Sequence, residues 1–146
     1  MKKVMPTLLL ILFLIGNHSA SFAAENPSNQ SYPSDKEVEA YSNKIVEINA
    51  KLEKPLSKSE KAELLYQKAK LELTFSWVTT MRSATEFLLE AIDLAPENKE
   101  YKNYLCKIYD GLWKNRNFDD GDSSSKDLQT LKDEVSRRVL EYRKRN

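Results

Sequence analysis

The chain carries few of the side chains on which catalysis and metal binding usually depend. It contains one histidine, His18, and one cysteine, Cys106. His18 lies in a segment expected to be removed, so the mature chain would lack a Ser–His–Asp triad and any histidine-ligated metal site. A single cysteine excludes a disulfide framework and a thiolate zinc cluster. We expect Cys106 to be buried and unreactive, and the sequence predicts no cofactor.

Three aspartates, Asp119, Asp120 and Asp122, flank Gly121 and form the densest acidic cluster of the chain. A calcium loop of the EF-hand kind places its glycine after the third ligand and ends in a glutamate. Here Gly121 precedes Asp122 and Lys126 follows, so we interpret the cluster as a solvated turn that caps the next helix. No pair of carboxylates is marked as the acid and nucleophile of a glycosidase. The sequence therefore predicts neither a metal site nor an enzyme.

The N-terminal segment has the order of features found in secretory signal peptides. Two lysines precede an apolar run over residues 8–15, and Ser21 and Ala23 supply small residues before a cleavage point. As a helix this run would span only ~12 Å, against a hydrocarbon core of ~30 Å. We therefore expect residues 1–23 to be removed, with no stable membrane insertion afterwards. No cysteine adjoins the cleavage point for a lipid anchor, and the predicted location is periplasmic or secreted.

The charges of the chain are nearly balanced, with 23 basic and 22 acidic side chains. Removal of Lys2 and Lys3 with the signal peptide would leave a net charge of −1, which does not favour nucleic-acid binding. A basic cluster over residues 137–145 ends the last predicted helix. Cations there stabilise the helix dipole by ~0.3–1 kcal/mol each at best. A docking patch for an acidic partner or lipid is the alternative interpretation of this cluster.

The mature chain is predicted to be a polar, disordered lead over residues 24–34 followed by one all-α domain over residues 35–146. Apolar residues recur there at spacings of three and four, which indicates helices. Ser57 and Glu60 have the spacing of a capping box at the start of the second helix. No segment alternates long enough for a strand, and short connections predict antiparallel hairpins. The expected helices are 35–53, 58–75, 81–94, a fourth with its apolar stripe from Tyr101 to Leu112, and 126–143.

A 34-residue repeat relates the second helix to the fourth. Leu71 and Leu105 are 34 residues apart, and so are Phe75 and Tyr109. A period of 34 over helix–turn–helix units is the tetratricopeptide spacing. The chain resembles that family over about residues 65–98, with half of a second unit after them. The residues that carry the resemblance are Leu71, Phe75, Ala84, Leu88, Ala91 and Pro96.

The resemblance has departures that leave a second architecture open. Lys68 stands where the family often has tryptophan, and Glu72 stands where it has a small residue. The second helix of the next unit is delayed by the predicted loop at 115–125. The fold is therefore expected to be all-α with about five helices, as a short tetratricopeptide-like solenoid or another small helical bundle.

The resemblance implies a partner-binding face on the inner side of the first helix of each unit. By position, this face takes Tyr66, Leu73 and Trp77 from the better unit as the expected apolar centre of the contact. It takes Asn103 and Lys107 from the next unit as polar contacts at its edge. Trp77 lies off the core row, so it is expected either as an aromatic contact with the partner or as a core residue. Other positions of the same face are Ala69, Ser76, Glu100 and Asp110.

This face implies a protein or peptide partner. The expected function is that of an exported, non-catalytic interaction module, an adaptor or assembly factor for an envelope or secreted protein. The alternative is an inhibitor or immunity protein that blocks a toxin or hydrolase in the periplasm. The two differ in whether the chain joins several components or covers the active site of one enzyme.

Overall fold

The computed structural model describes residues 33–74, 78–118 and 123–145. Five α-helices and no strand occur in these ranges, which confirms the predicted all-α fold. The predicted signal peptide, most of the predicted lead, Phe75, Ser76, Trp77 and the aspartates around Gly121 lie outside them. The helices are α1 (Asp35–Leu52), α2 (Lys58–Thr74), α3 (Val78–Leu94), α4 (Lys99–Ile108, continued by a π-helical turn Tyr109–Trp113) and α5 (Ser123–Lys144).

Side chains that accept hydrogen bonds from free backbone N–H groups begin three of these helices. The predicted capping box of α2 is present: the Glu60 amide donates to Ser57 Oγ at 3.2 Å, and the Ser57 amide donates to Glu60 at 2.9 Å. Ser34 forms the same box with Glu37 at the start of α1. Asn98 accepts from the first-turn amides of α4. Short polar residues therefore fix where α1, α2 and α4 begin.

Two helices begin three residues earlier than the sequence predicts. α3 begins at Val78 rather than Met81, although Val78, Thr79 and Thr80 are β-branched and disfavour helix by a few tenths of a kcal/mol each. α5 begins at Ser123 rather than Lys126, because serines are well tolerated at helix starts.

Alanines hold α2 and α3 close together as an antiparallel hairpin. Ala62 and Ala69 on α2 and Ala84 and Ala91 on α3 are all 0% exposed. Small side chains let helix backbones approach, which is the packing predicted from the Ala84/Ala91 spacing. Contacts at both ends of the pair set its direction: Lys61 pairs with Glu90 at 2.7 Å and Ser83 donates to Glu72 at 2.8 Å.

The remaining helices extend this hairpin into two layers, with α2 and α4 on one side and α1, α3 and α5 on the other. The end of α4 lies against the start of α3, so α2 and α4 run in the same direction. The helices α3 and α5 also run in the same direction, because Arg82 meets Asp127 at 3.7 Å near their starts and Asp93 meets Arg138 at 2.6 Å further along. α1 packs against α2 through Ile48, and Lys68 donates to Asn49.

A π-helical turn at the end of α4 changes which residues face the core. The predicted stripe ran through Ile108 and Leu112, but Leu112 is only half-buried while Trp113 is fully buried. A π turn adds one residue to a helical turn and so rotates the following residues around the axis. Because of that extra residue, the prediction that Leu112 faces the core is wrong. The buried row of α4 is Leu105, Ile108 and Trp113.

Trp113 closes a buried chain of hydrogen bonds at the start of α3. Its indole N–H donates to Thr85 Oγ1 at 3.1 Å, and the Thr85 hydroxyl donates to the Met81 carbonyl at 2.6 Å. Thr85 is 0% exposed, so the hydroxyl satisfies a tryptophan donor that water does not reach. This hydrogen bond links the π-helical end of α4 to α3.

Ala84→Arg should destabilise the fold strongly. The substitution overpacks the α2–α3 contact and buries an unpaired charge, so we expect a loss of about 3 kcal/mol or more. Chemical denaturation followed by circular dichroism measures it. Ala50→Arg on the exposed side of α1 is the matched control and should leave the midpoint nearly unchanged. Equal midpoints for Ala84→Arg and the unmodified chain would contradict the packing.

Thr85→Val should cost about 1–3 kcal/mol, because it keeps the volume and leaves the Trp113 N–H buried without an acceptor. Thr85→Ser retains the hydroxyl and should cost less. The free energies of unfolding of the two variants decide the matter. A Val variant at least as stable as the Ser variant would mean that the hydrogen bond does not matter.

Candidate functional site

The structure divides the predicted partner-binding residues into a buried group and an exposed group. Tyr66 is 5% exposed and Leu73 is 2% exposed, and both belong to the hydrophobic core. They therefore do not form the apolar centre of an open contact in this fold. Asn103 and Lys107 lie exposed on α4, as predicted for a contact edge. Trp77 lies outside the described residues, so its role stays a prediction.

The burial of Tyr66 results from aromatic packing between α2 and α4. Its ring lies 4.5 Å from that of Tyr101, at an interplanar angle of 34°. Tyr104 meets it edge-on, with centroids 5.6 Å apart and an angle of 88°. Such pairs add about 0.5–1.5 kcal/mol beyond the area they bury. Tyr101 and Tyr104 of α4 therefore cover Tyr66, which the resemblance predicted to lie on an exposed face of α2.

Two crossed hydrogen bonds complete this contact. The Tyr66 hydroxyl donates to Glu100 Oε1 and the Tyr101 hydroxyl donates to Glu63 Oε2, each at 2.8 Å. Each helix therefore contributes one tyrosine and one glutamate to the pair of bonds. Burial, and then the bonded carboxylate, raises the pKa of both tyrosines. Burial raises the pKa of Tyr104 to about 12.

Beside this contact, α2 and α4 each carry an exposed row of residues, and the two rows together are here called the α2/α4 face. The residues that line it are polar, and they recur at spacings of three and four along each helix. Lys70 lies over the Tyr66 ring, 5.1 Å from its centroid. Asn103 offers both an amide donor and a carbonyl acceptor. The face consists of Glu63, Gln67, Lys70 and Thr74 on α2 and Glu100, Asn103, Lys107 and Asp110 on α4.

Charged residues that involve α3 or α5 and the carboxylates Glu63 and Glu100 on the α2/α4 face differ in the kind of partner that holds them. In the described part of the chain, every ion pair that joins two helices includes a residue of α3 or α5. Glu63 and Glu100 on the α2/α4 face are held instead by neutral tyrosine hydroxyls. A neutral donor orients a carboxylate and leaves its negative charge in place. On the α2/α4 face, Asp110 pairs with Arg143 of α5, whereas Glu63 and Glu100 are held by hydroxyl donors.

The basic cluster at the end of α5 is used mainly within the chain. Arg137 pairs with Glu141, Arg138 pairs with Glu134 and Asp93, and Arg143 pairs with Asp110. Three of the five cations in the cluster, Arg137, Arg138 and Arg143, are therefore paired within the chain.

Beyond these contacts, three further properties of the described residues bear on function: the thiol, possible metal ligands and membrane-spanning character. Cys106 is half-buried, and burial raises the pKa of its thiol although Arg143 lies nearby and opposes the shift. Over residues 33–74, 78–118 and 123–145, histidine, cysteine and acidic side chains form no group suited to a metal ion. In the same ranges, no helix has both the length and the apolar character needed to cross a membrane.

Comparison of the chain with protein-family models, with curated proteins and with solved structures finds no match. The site is therefore interpreted from its own geometry.

The crossed tyrosine–glutamate contact is the feature that the sequence interpretation missed. A signal was present, because Tyr66 and Glu100 are 34 residues apart, the period of the repeat. The pairing of Tyr101 with Glu63 spans 38 residues and follows no repeat. Only the way α4 packs on α2 reveals it.

The raised tyrosine pKa values predict a delayed alkaline titration. Because the folded state favours the neutral phenols of Tyr66, Tyr101 and Tyr104, their contribution to stability is complete below pH ~10 and is lost as pH rises further. Phenolate absorbance of the native chain should show these tyrosines ionising late, together with alkaline unfolding. In denaturant all seven tyrosines should titrate near pH ~10.

Tyr66→Phe supplies the control for this titration. It should remove one late-ionising group from the native curve, while the curve in denaturant loses one ordinary group. Native tyrosines that all ionise near pH ~10 before unfolding would contradict the buried, hydrogen-bonded arrangement.

Proposed function

We propose that the chain is an exported, non-catalytic protein–protein interaction module, an adaptor or assembly factor for an envelope or secreted protein. The observation that carries the proposal is the α2/α4 face. Two helices that run in the same direction present exposed amide and charged side chains, among them Asn103 and Lys107, on a well-packed base. Such a surface suits recognition of a protein or peptide.

The rigidity of the face supports a binding role. Tyr66 and Tyr101 stack beneath it and fix Glu100 and Glu63 at its edge. Side chains that are already ordered lose less conformational entropy on binding, at about 0.5–1.5 kcal/mol for each long side chain. A preorganised face therefore leaves more of its contact energy for affinity.

The helix arrangement supports the tetratricopeptide-like part of the proposal. Two successive hairpins with their first helices side by side are what a 34-residue repeat produces in that family. In the proposed likeness, α2 and α4 are these first helices, and their shared side is the one to which the family binds partners. The burial of Tyr66 and Leu73 restricts the proposed contact to the polar rows, with Trp77 as a further candidate.

The export part of the proposal depends on the N-terminal sequence. Two lysines, an apolar run at 8–15 and the small residues Ser21 and Ala23 are a signal-peptide pattern. A partner is therefore sought in the periplasm, the envelope or the medium. The intact mass of the exported protein tests whether residues 1–23 are removed.

Affinity capture from envelope extract with the tagged mature chain tests the binding proposal. We expect specific capture of a protein, with recovery reduced about tenfold or more by Asn103→Arg or Lys107→Glu, because each places a wrong side chain on the contact. Asn43→Arg, an exposed asparagine on α1, is the matched control and should capture as the unmodified chain does. Equal capture by Asn103→Arg, Lys107→Glu and the control would exclude the α2/α4 face.

The nature of the captured protein separates the two candidate roles. Several components recovered together, with enzyme activity unaffected, support an adaptor. A single enzyme recovered with its activity blocked supports an inhibitor or immunity protein instead.

A further inference from the structure

The two rows of the α2/α4 face share one register. The crossed hydrogen bonds of the tyrosine pair, each at 2.8 Å, hold Glu63 and Glu100 at the same height along the two helices. α2 and α4 run in the same direction, and each rises by ~1.5 Å per residue. Residues equally far beyond Glu63 and Glu100 are therefore neighbours across the two rows.

Three kinds of side chain follow one another along these rows, and all of them are exposed. Carboxylates come first, amides follow one turn later, and amines follow one turn after the amides. On each helix the carboxylate and the amine are seven residues apart, which is ~10 Å along the axis. The pairs are Glu63 with Glu100, Gln67 with Asn103, and Lys70 with Lys107.

The acidic end of this order is held by neutral donors alone. Glu63 accepts from the Tyr101 hydroxyl and from the Gln67 amide, each at 2.8 Å. Glu100 accepts from the Tyr66 hydroxyl. Over residues 33–74, 78–118 and 123–145, no ion pair includes either carboxylate.

The basic end is defined by Lys70. Its ammonium lies 5.1 Å from the centroid of the Tyr66 ring, and within the described part of the chain no ion pair includes it. Lys107 occupies the matching position of α4. Asp110, one turn further along α4, is paired with Arg143 of α5, so its charge is met within the chain. The face is therefore negative at one end and positive at the other.

Between the two ends lie the amides of Gln67 and Asn103. Asn103 offers a donor and an acceptor, and Gln67 keeps its carbonyl oxygen after donating to Glu63. Such amides can bond the N–H and C=O groups of a bound backbone, provided that this backbone has not already paired them in a helix or sheet. A polyproline-II segment leaves these groups free, rises ~3.1 Å per residue and repeats every three residues. Two of its side chains that are three residues apart therefore face one side, ~9 Å from each other, which matches the separation of the charges on the face.

We propose that the α2/α4 face binds a polyproline-II segment of the partner protein in which a basic and an acidic residue are three residues apart. The cationic side chain lies at Glu63 and Glu100, and the anionic side chain lies at Lys70. The backbone between them contacts Gln67 and Asn103. The proposal rests on the proposed function, since it assumes a protein partner at this face, and it adds the charge order and spacing of the bound segment.

Peptide titrations followed by NMR test the spacing on the intact mature chain. The probe is acetyl-Pro-Arg-Ala-Pro-Glu-Ala-amide, and a control peptide of the same composition, acetyl-Pro-Ala-Arg-Glu-Pro-Ala-amide, makes the two charges adjacent. The probe should bind about threefold or more tightly than the control peptide, with shifts centred on the side-chain amides of Gln67 and Asn103. Equal binding of the two peptides, no binding of either, or shifts centred elsewhere would overturn the proposal.

Two variants of the face test the charge order. Lys70→Glu should make the chain prefer a probe in which arginine replaces the glutamate, because the acidic residue would then meet a carboxylate. Glu100→Gln keeps an oxygen that accepts from Tyr66 and removes the charge, so it should weaken binding of the original probe about threefold. Lys36→Glu and Glu39→Gln make the same changes on the exposed side of α1 and should alter neither result. An unchanged peptide preference in Lys70→Glu would contradict the assigned order.

A failure of this inference is distinguishable from a failure of the proposed function. If the two peptides bind equally while Asn103→Arg still abolishes capture from extract, the interaction module stands and the charge order is wrong. If no protein is captured although the probe binds with the expected preference, the face recognises such a segment and the adaptor role is wrong. Loss of capture with Lys70→Glu and Glu100→Gln, as with Asn103→Arg, supports both.

Discussion

The stack of Tyr66 on Tyr101 is the contact on which the arrangement of the two hairpins depends. It joins α2 to α4, and its hydroxyls are satisfied by Glu100 and Glu63 at 2.8 Å. A buried phenol without an acceptor would cost about 1–3 kcal/mol, so the carboxylates make this aromatic contact tolerable. The same bonds bring two carboxylates to the edge of the exposed face. Packing and surface chemistry thus have a common origin.

Local signals predicted most of the fold because they depend on residues close in sequence. The capping box of Ser57 and Glu60 formed as expected, and the apolar periodicity located all five helices. The missed features depend on distant contacts. The extra residue of the π turn is stabilised where Trp113 meets Thr85, 28 residues away, and nothing in the spacing of α4 alone signals it. The early start of α3 likewise reflects the hairpin rather than the propensity of Val78.

The candidate site could be predicted only in part for a related reason. Helical spacing correctly placed Asn103 and Lys107 on the surface, since both lie opposite the buried Tyr101–Leu105 row of α4. The same reasoning failed for Tyr66 and Leu73, because a position on a helix does not specify what the next hairpin covers. Here α4 brings Tyr101 and Tyr104 against Tyr66 of α2. Whether a helix face is exposed or buried depends on the helix that packs against it and cannot be inferred from its own sequence.

The distribution of charge gives the two sides of the molecule different roles. Across α3 and α5, ion pairs such as Arg138 with Asp93 neutralise some of the charges within the chain. Exposed pairs of this kind contribute at most about 1 kcal/mol each, but they also remove charges from what a partner encounters. On the opposite side, Glu63 and Glu100 accept hydrogen bonds from neutral tyrosine hydroxyls rather than from cations. Because such charges act through water over a screening length of about 8 Å at physiological salt, they affect partner choice and association rate more than fold stability. Under the proposed function, specificity on this side would follow from how the fold holds Glu63 and Glu100, with hydroxyl donors in place of lysines.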